Sequence, residues 1–152
     1  MNKSVFIFAL LSLLASCGTQ SEQRTASLNK YLNEQFKSGT NESWRGIVVL
    51  SSNGCHTCNT HFLRFMEEQA DFSQFAVLVT AKPGEIKPAV YEDKRAAIIW
   101  KDYKNRFFHD TELMKASGVI YLKAGTVDTI IDIRSEELEQ QIDYMRQRFM
   151  SE

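Results

Sequence analysis

The chain has 152 residues, a formal net charge of −1 and 43% hydrophobic residues. That length suits one domain with a single core and no need for extra staples. There is no basic stripe with interleaved aromatics, so nucleic acid is not an expected partner. Beyond the first residues no apolar run approaches membrane-spanning length.

The chain opens with Met1-Asn2-Lys3, which is basic, and then Val5 to Ala15 (VFIFALLSLLA), which is almost wholly apolar. A run of about 11 such residues is too short to cross a ~30 Å hydrocarbon core as a permanent helix. A basic start, a short apolar stretch and then small residues is the layout of a secretory signal peptide. The next residues, Leu14-Ala15-Ser16-Cys17-Gly18, resemble the lipobox of bacterial lipoproteins. The resemblance implies that residues 1–16 are a signal peptide, that the chain is cut before Cys17, and that the Cys17 thiol takes a diacylglycerol. The protein would then be lipid-anchored to a membrane of the bacterial cell envelope, facing the periplasm. Removing Lys3 takes the formal charge from −1 to −2. With Cys17 lipidated, Cys55 and Cys58 remain as a private pair in an oxidising compartment.

Gly18 to Thr25 is polar and without periodicity, so 17–25 reads as a lipidated tether ahead of a domain over 26–152. Leu28, Tyr31, Leu32 and Phe36 fall at i, i+3, i+4 and i+8, one face of a helix. Gly46 to Ser51 (GIVVLS) is a strand suited to burial on both faces. Cys55-His56-Thr57-Cys58 follows directly, and then Phe62, Phe65, Met66 and Gln69 at helical spacing. Phe75 to Ala81 is a second buried strand, and Ala96 to Trp100 a third, short one. The segment between them holds both prolines, Pro83 and Pro88, and carries no clear element. Asp110 to Ser117 reads as a short helix capped by Asp110 and stopped by Gly118. Val119 to Lys123 and Thr126 to Ile133 flank Ala124-Gly125 as a hairpin. Ser135, with Glu136 and Glu137, opens a last helix striped by Leu138, Ile142, Met145 and Phe149. The prediction is an α/β fold, a mixed central β-sheet flanked by helices.

Two cysteines three apart can be a redox pair, half of a metal site or a structural staple. A thiol in the first turn of a helix meets unsatisfied backbone N–H groups, which favours the thiolate and lowers its pKa below the free value of ~8.5. Cys55 would stand at the exposed start and Cys58 would turn in toward the strand. An exposed thiolate attacks a substrate disulfide, and its partner resolves the mixed disulfide within the chain.

Strand, CxxC and helix early, with a β-hairpin and helix late, resemble the thioredoxin-like superfamily. The export signal and the extra material between Lys82 and Ser117 are more similar to its TlpA/ResA-type lipoprotein and membrane-anchored members. The resemblance covers roughly Trp44 to Phe149. It implies a thiol–disulfide oxidoreductase acting on protein thiols and disulfides, with Cys55 as nucleophile, Cys58 as resolving cysteine and no cofactor. Three positions depart from that family's pattern. Gly54 stands where a Trp usually precedes the first cysteine, and Val49 where a buried acid is common. No proline lies between Pro88 and Glu152, and Ser117 falls near the slot that a cis-proline takes before the hairpin.

His56, between the cysteines, is a candidate for tuning the thiolate. His61 is three residues past Cys58, and with His56 and the cysteines it offers soft ligands to copper or zinc. Structural zinc sites draw on two separated ligand pairs, and no second Cys/His knuckle exists. No metal site is therefore assigned. The competing expectation is a redox-inert binding lipoprotein that handles copper or zinc through the cysteines.

Overall fold

The computed structural model describes residues 3–69 and 72–150, with side chains at 20–69 and 72–150. The expected signal segment and the Cys17 thiol fall outside the residues whose side chains are described. The elements are α1 (Lys3–Phe36), β1 (Gly46–Ser51), α2 (His56–Glu68), β2 (Phe75–Thr80), β3 (Ile98–Lys101), α3 (Arg106–Thr111), β4 (Gly118–Lys123), β5 (Thr126–Asp132) and α4 (Leu138–Met150). Single 3-10 turns lie at Pro88–Val90 and Ser135–Glu137. The five strands form one sheet in the order β3-β2-β1-β4-β5. β1, β2 and β3 run parallel, β4 is antiparallel to β1, and β5 returns antiparallel to β4. The fold is thus α/β with a mixed sheet, as the alternation of apolar runs predicts.

Side chains alternate across a strand, so each strand serves two cores. Val48, Leu50, Val77, Val79, Val119 and Tyr121 pack against Phe62, Phe65 and Met66 of α2 and Met145 of α4. Ile47, Val49, Ala76, Leu78, Ile120 and Leu122 pack against Leu28, Tyr31 and Leu32 of α1 and Phe107 of α3. Every position of β1 and β2 is buried, which is why their sequences are continuous apolar runs rather than alternating ones. Among the described residues no helix is long and apolar enough to cross a membrane.

The start of the domain differs from expectation. The polar stretch read as a tether is helical, and α1 docks it on the sheet edge. The Ser21 hydroxyl donates to the Val127 carbonyl, and the Thr25 hydroxyl oxygen accepts the Val127 N–H at 2.8 Å. β5 is an edge strand, whose outward polar groups need partners. The hydroxyls supply them without any apolar periodicity, and so the docking is silent in a hydrophobic pattern.

The helix expected at Asp110 to Ser117 also lies elsewhere. α3 occupies Arg106–Thr111, and Glu112, with φ +54°, ends it in the left-handed region. Its first turn is held from a distance. The buried Asp102 carboxylate accepts the Phe107 N–H and the Tyr31 hydroxyl at 2.8 Å each, and the Lys104 N–H at 3.2 Å. Asp110 does not cap it; its carboxylate takes the Arg106 guanidinium at 3.0 Å. Residues 113–117 are left free to run as a wall beside the cysteines. Ser135 likewise makes no capping bond, and Arg134 donates its N–H to Gln141 Oε1 at 3.0 Å.

Two buried side-chain oxygens, Asn105 Oδ1 and the Tyr121 hydroxyl, are poorly served among the described residues. Among the described residues the Tyr121 hydroxyl has no hydrogen-bond partner, and burial pushes this phenol well above the usual 10. Tyr31 is pushed up too, first by burial and then by its bond to Asp102. The folded state therefore holds both protons more tightly than the unfolded chain does. That contribution is complete below about pH 10 and is lost as the pH climbs beyond it, by about 1.4 kcal/mol per pH unit for each group. Tyr121→Phe removes an unpaired hydroxyl, so it is expected to stabilise the protein by about 1 kcal/mol at pH 7 and to soften the alkaline decline. Urea unfolding at pH 7 and 10.5 checks both; a variant less stable than its parent at pH 7 would contradict the unpaired hydroxyl.

Candidate functional site

The site is built where β1 ends. Ser51 is the last residue of the strand, and its hydroxyl oxygen accepts the Asn53 N–H at 2.9 Å, which starts the turn. Gly54 then adopts φ +93°, a conformation that side chains resist. A Cβ there would also lie 2.9 Å from the Cβ of Ala116. Conformation and contact together explain why glycine, and not a bulky aromatic, precedes the first cysteine.

Cys55 is the N-cap of α2, in extended conformation, and its sulfur accepts the Cys58 N–H at 3.3 Å. Cys55 and Cys58 are joined by a disulfide, with Cα atoms 5.3 Å apart, inside the usual range for such bonds. The two ends of the bond differ. Cys55 is exposed, whereas Cys58 is only 3% exposed and belongs to the core under α2 and α4. A groove of about 600 Å³ opens beside Cys55, lined by Gly54, by Glu112 to Ala116 and by Asp132 to Arg134. Its wall is tied down by Asp132, whose carboxylate accepts the Lys115 N–H at 3.2 Å and the Ala116 N–H at 2.9 Å.

His56 is the first residue of α2 and exposed, as is His61 one turn beyond Cys58. His61 lies over a separate hollow between α2 and α4, with Arg64 and Glu68 beside it. Among the described residues no group of three or more His, Cys, Asp or Glu side chains is placed to hold a metal ion. Val49 points into the core under α1, away from the one that holds Cys58.

Sequence reasoning missed Asn59. This residue is 8% exposed; its amide N–H donates to the Ser51 carbonyl and its amide oxygen accepts from the Ser117 hydroxyl. A signal was present: Asn59, Phe62 and Met66 share the inward stripe of α2 at i, i+3 and i+7, and a polar residue there needs a buried partner.

No family model matches the chain, and no curated protein or solved structure matches it either. The function therefore has to come from the geometry.

Proposed function

We propose that the protein is a thiol–disulfide oxidoreductase of thioredoxin-like fold, lipid-anchored through Cys17 in the bacterial cell envelope, with protein thiols and disulfides as substrates. The observation that carries this reading is the asymmetry of the bonded pair, with an exposed sulfur at a helix N-cap and a buried one a turn later. The parallel β1-α2-β2 unit followed by the β4-β5 hairpin and α4 supports the fold assignment.

The chemistry needs only a substrate disulfide. In the reduced protein the start of α2 favours the thiolate at Cys55. That thiolate attacks one substrate sulfur, an S–S bond forms between them, and the other substrate sulfur leaves as a thiolate. Cys58 then gives up its proton and attacks Cys55, restoring the internal disulfide and releasing the second substrate thiolate. Two electrons pass from the pair to the substrate, and the reverse sequence oxidises a dithiol. His56, beside Cys55 and exposed, is suited in its charged form to steady the thiolate.

Cys55→Ser is expected to reduce insulin-disulfide exchange to background and to trap nothing. Cys58→Ser is expected to accumulate mixed disulfides on Cys55, visible on non-reducing gels as adducts that dithiothreitol removes. If neither variant alters any envelope thiol, the oxidoreductase reading fails. A reduction potential below about −300 mV would mark the pair as a structural disulfide instead.

A further inference from the structure

We infer that Asn59, together with Ser117 and Ser51, is a positioning device that holds Cys58 still while Cys55 moves, and so sets how readily the pair closes. The inference rests on the exchange chemistry proposed above. It starts from a closed set of buried bonds. The Ser117 hydroxyl oxygen accepts the Ser51 N–H at 2.9 Å and donates to the Asn59 amide oxygen, with the Ser51 carbonyl at 3.1 Å. The Asn59 amide N–H donates to that same Ser51 carbonyl. Ser51 and Ser117 are both 0% exposed. One amide and one hydroxyl thus join the end of β1, the second turn of α2 and the residue that leads into β4.

Asn59 directly follows Cys58, so the clamp holds the peptide that carries the buried sulfur. Shifting it would leave several buried polar groups unpaired, and a buried group without its partner loses hydration with nothing in return. The Cys55 side chain is held less firmly: it is exposed at the N-cap, where its sulfur accepts the Cys58 N–H at 3.3 Å. When the S–S bond opens, the two sulfurs must separate to a non-bonded distance, and the separation falls on Cys55. Cys58 is left aligned for ring closure, which is how fixed geometry raises the rate of an intramolecular step. Ser117 also links the clamp to the groove wall, because its neighbour Ala116 abuts Gly54. The wall and the resolving cysteine therefore share one anchor.

The test compares the parent protein with Asn59→Ala, Ser117→Ala and Ser117→Thr, which keeps the hydroxyl. The readouts are the equilibrium constant of the Cys55–Cys58 disulfide against glutathione and the lifetime of the mixed disulfide with both cysteines present. In Asn59→Ala and Ser117→Ala protein confirmed folded by circular dichroism, closure is expected to weaken about tenfold, a shift of about 30 mV. The mixed disulfide is expected to live correspondingly longer, and Ser117→Thr to restore parental behaviour. Lower melting temperatures with an unchanged equilibrium constant and lifetime would overturn the inference and leave the clamp merely structural. If Ser117→Ala does not fold, Asn59→Ala alone decides. A parent protein that exchanges no disulfide would sink the exchange reading instead, so the two failures can be told apart.

Discussion

Gly118→Ala is expected to cost about 3–5 kcal/mol, at the upper end of what overpacking does to a core. Gly118 begins β4 and pairs with Val49 on one side and Asp132 on the other. A Cβ at this position would overlap the Ile131 carbonyl oxygen and lie 3.0 Å from its carbonyl carbon and 2.7 Å from Met114 Cε. The methionine end can swing away. The Ile131 backbone cannot, because β5 is laddered to β4 on either side of it. The overlap can be relieved only by opening the hairpin where Ser117 and Ala116 depart from it. Thermal unfolding followed by circular dichroism checks this, with a drop of some 10–20 °C expected for a domain of this size. A change of under about 1 kcal/mol would mean that the strands do not approach as described.

The second large effect is expected at Asp102. Its carboxylate serves the Tyr31 hydroxyl, the Phe107 N–H and the Lys104 N–H from a site only 6% exposed. Asp102→Ala strands the first two inside the core and is expected to destabilise by about 3–5 kcal/mol, since each unpaired buried group costs about 1–3 kcal/mol. Asp102→Asn can keep its oxygen at the atom shared by Tyr31 and Phe107 and is expected to lose much less. Its amide nitrogen would then face the Lys104 N–H, a donor against a donor. Denaturant titrations of the two variants separate the cases. Equal losses in both would show that charge, not acceptor geometry, holds α1 to α3.

The sheet was legible because burial on both faces leaves a mark that water exposure cannot blur. GIVVLS and FAVLVT are continuous apolar runs up to their closing Ser51 and Thr80, and each is a strand buried at every position. The hairpin was equally clear from its two β-rich runs around Ala124-Gly125. What remained hidden was held by side-chain-to-backbone bonds, which have no period. Asp102 caps α3 from four residues before its start, so Asp110, in a suitable sequence setting, looked like the cap and was not. Thr25 and Ser21 dock a helix with two hydroxyls in a segment that reads as polar filler. The cysteine pair was visible from spacing alone. Its clamp was not, because Ser51 and Ser117 are ordinary residues until a fold 66 positions apart in sequence brings them together.

The docking of α1 on β5 would also limit where a lipid-anchored protein can work. Position 17 lies one helical turn before Ser21, so a lipid on Cys17 would sit within about 6 Å, along the helix, of the first contact with β5. A flexible leader of the same nine residues would let the domain roam up to about 30 Å from the bilayer. If Cys17 carries a lipid as proposed, so short a leash would keep the whole domain, and the proposed reactive sulfur with it, close to the bilayer. Partners held at the same surface would then be met at a raised effective concentration, and those free in the bulk compartment only by their own diffusion to it.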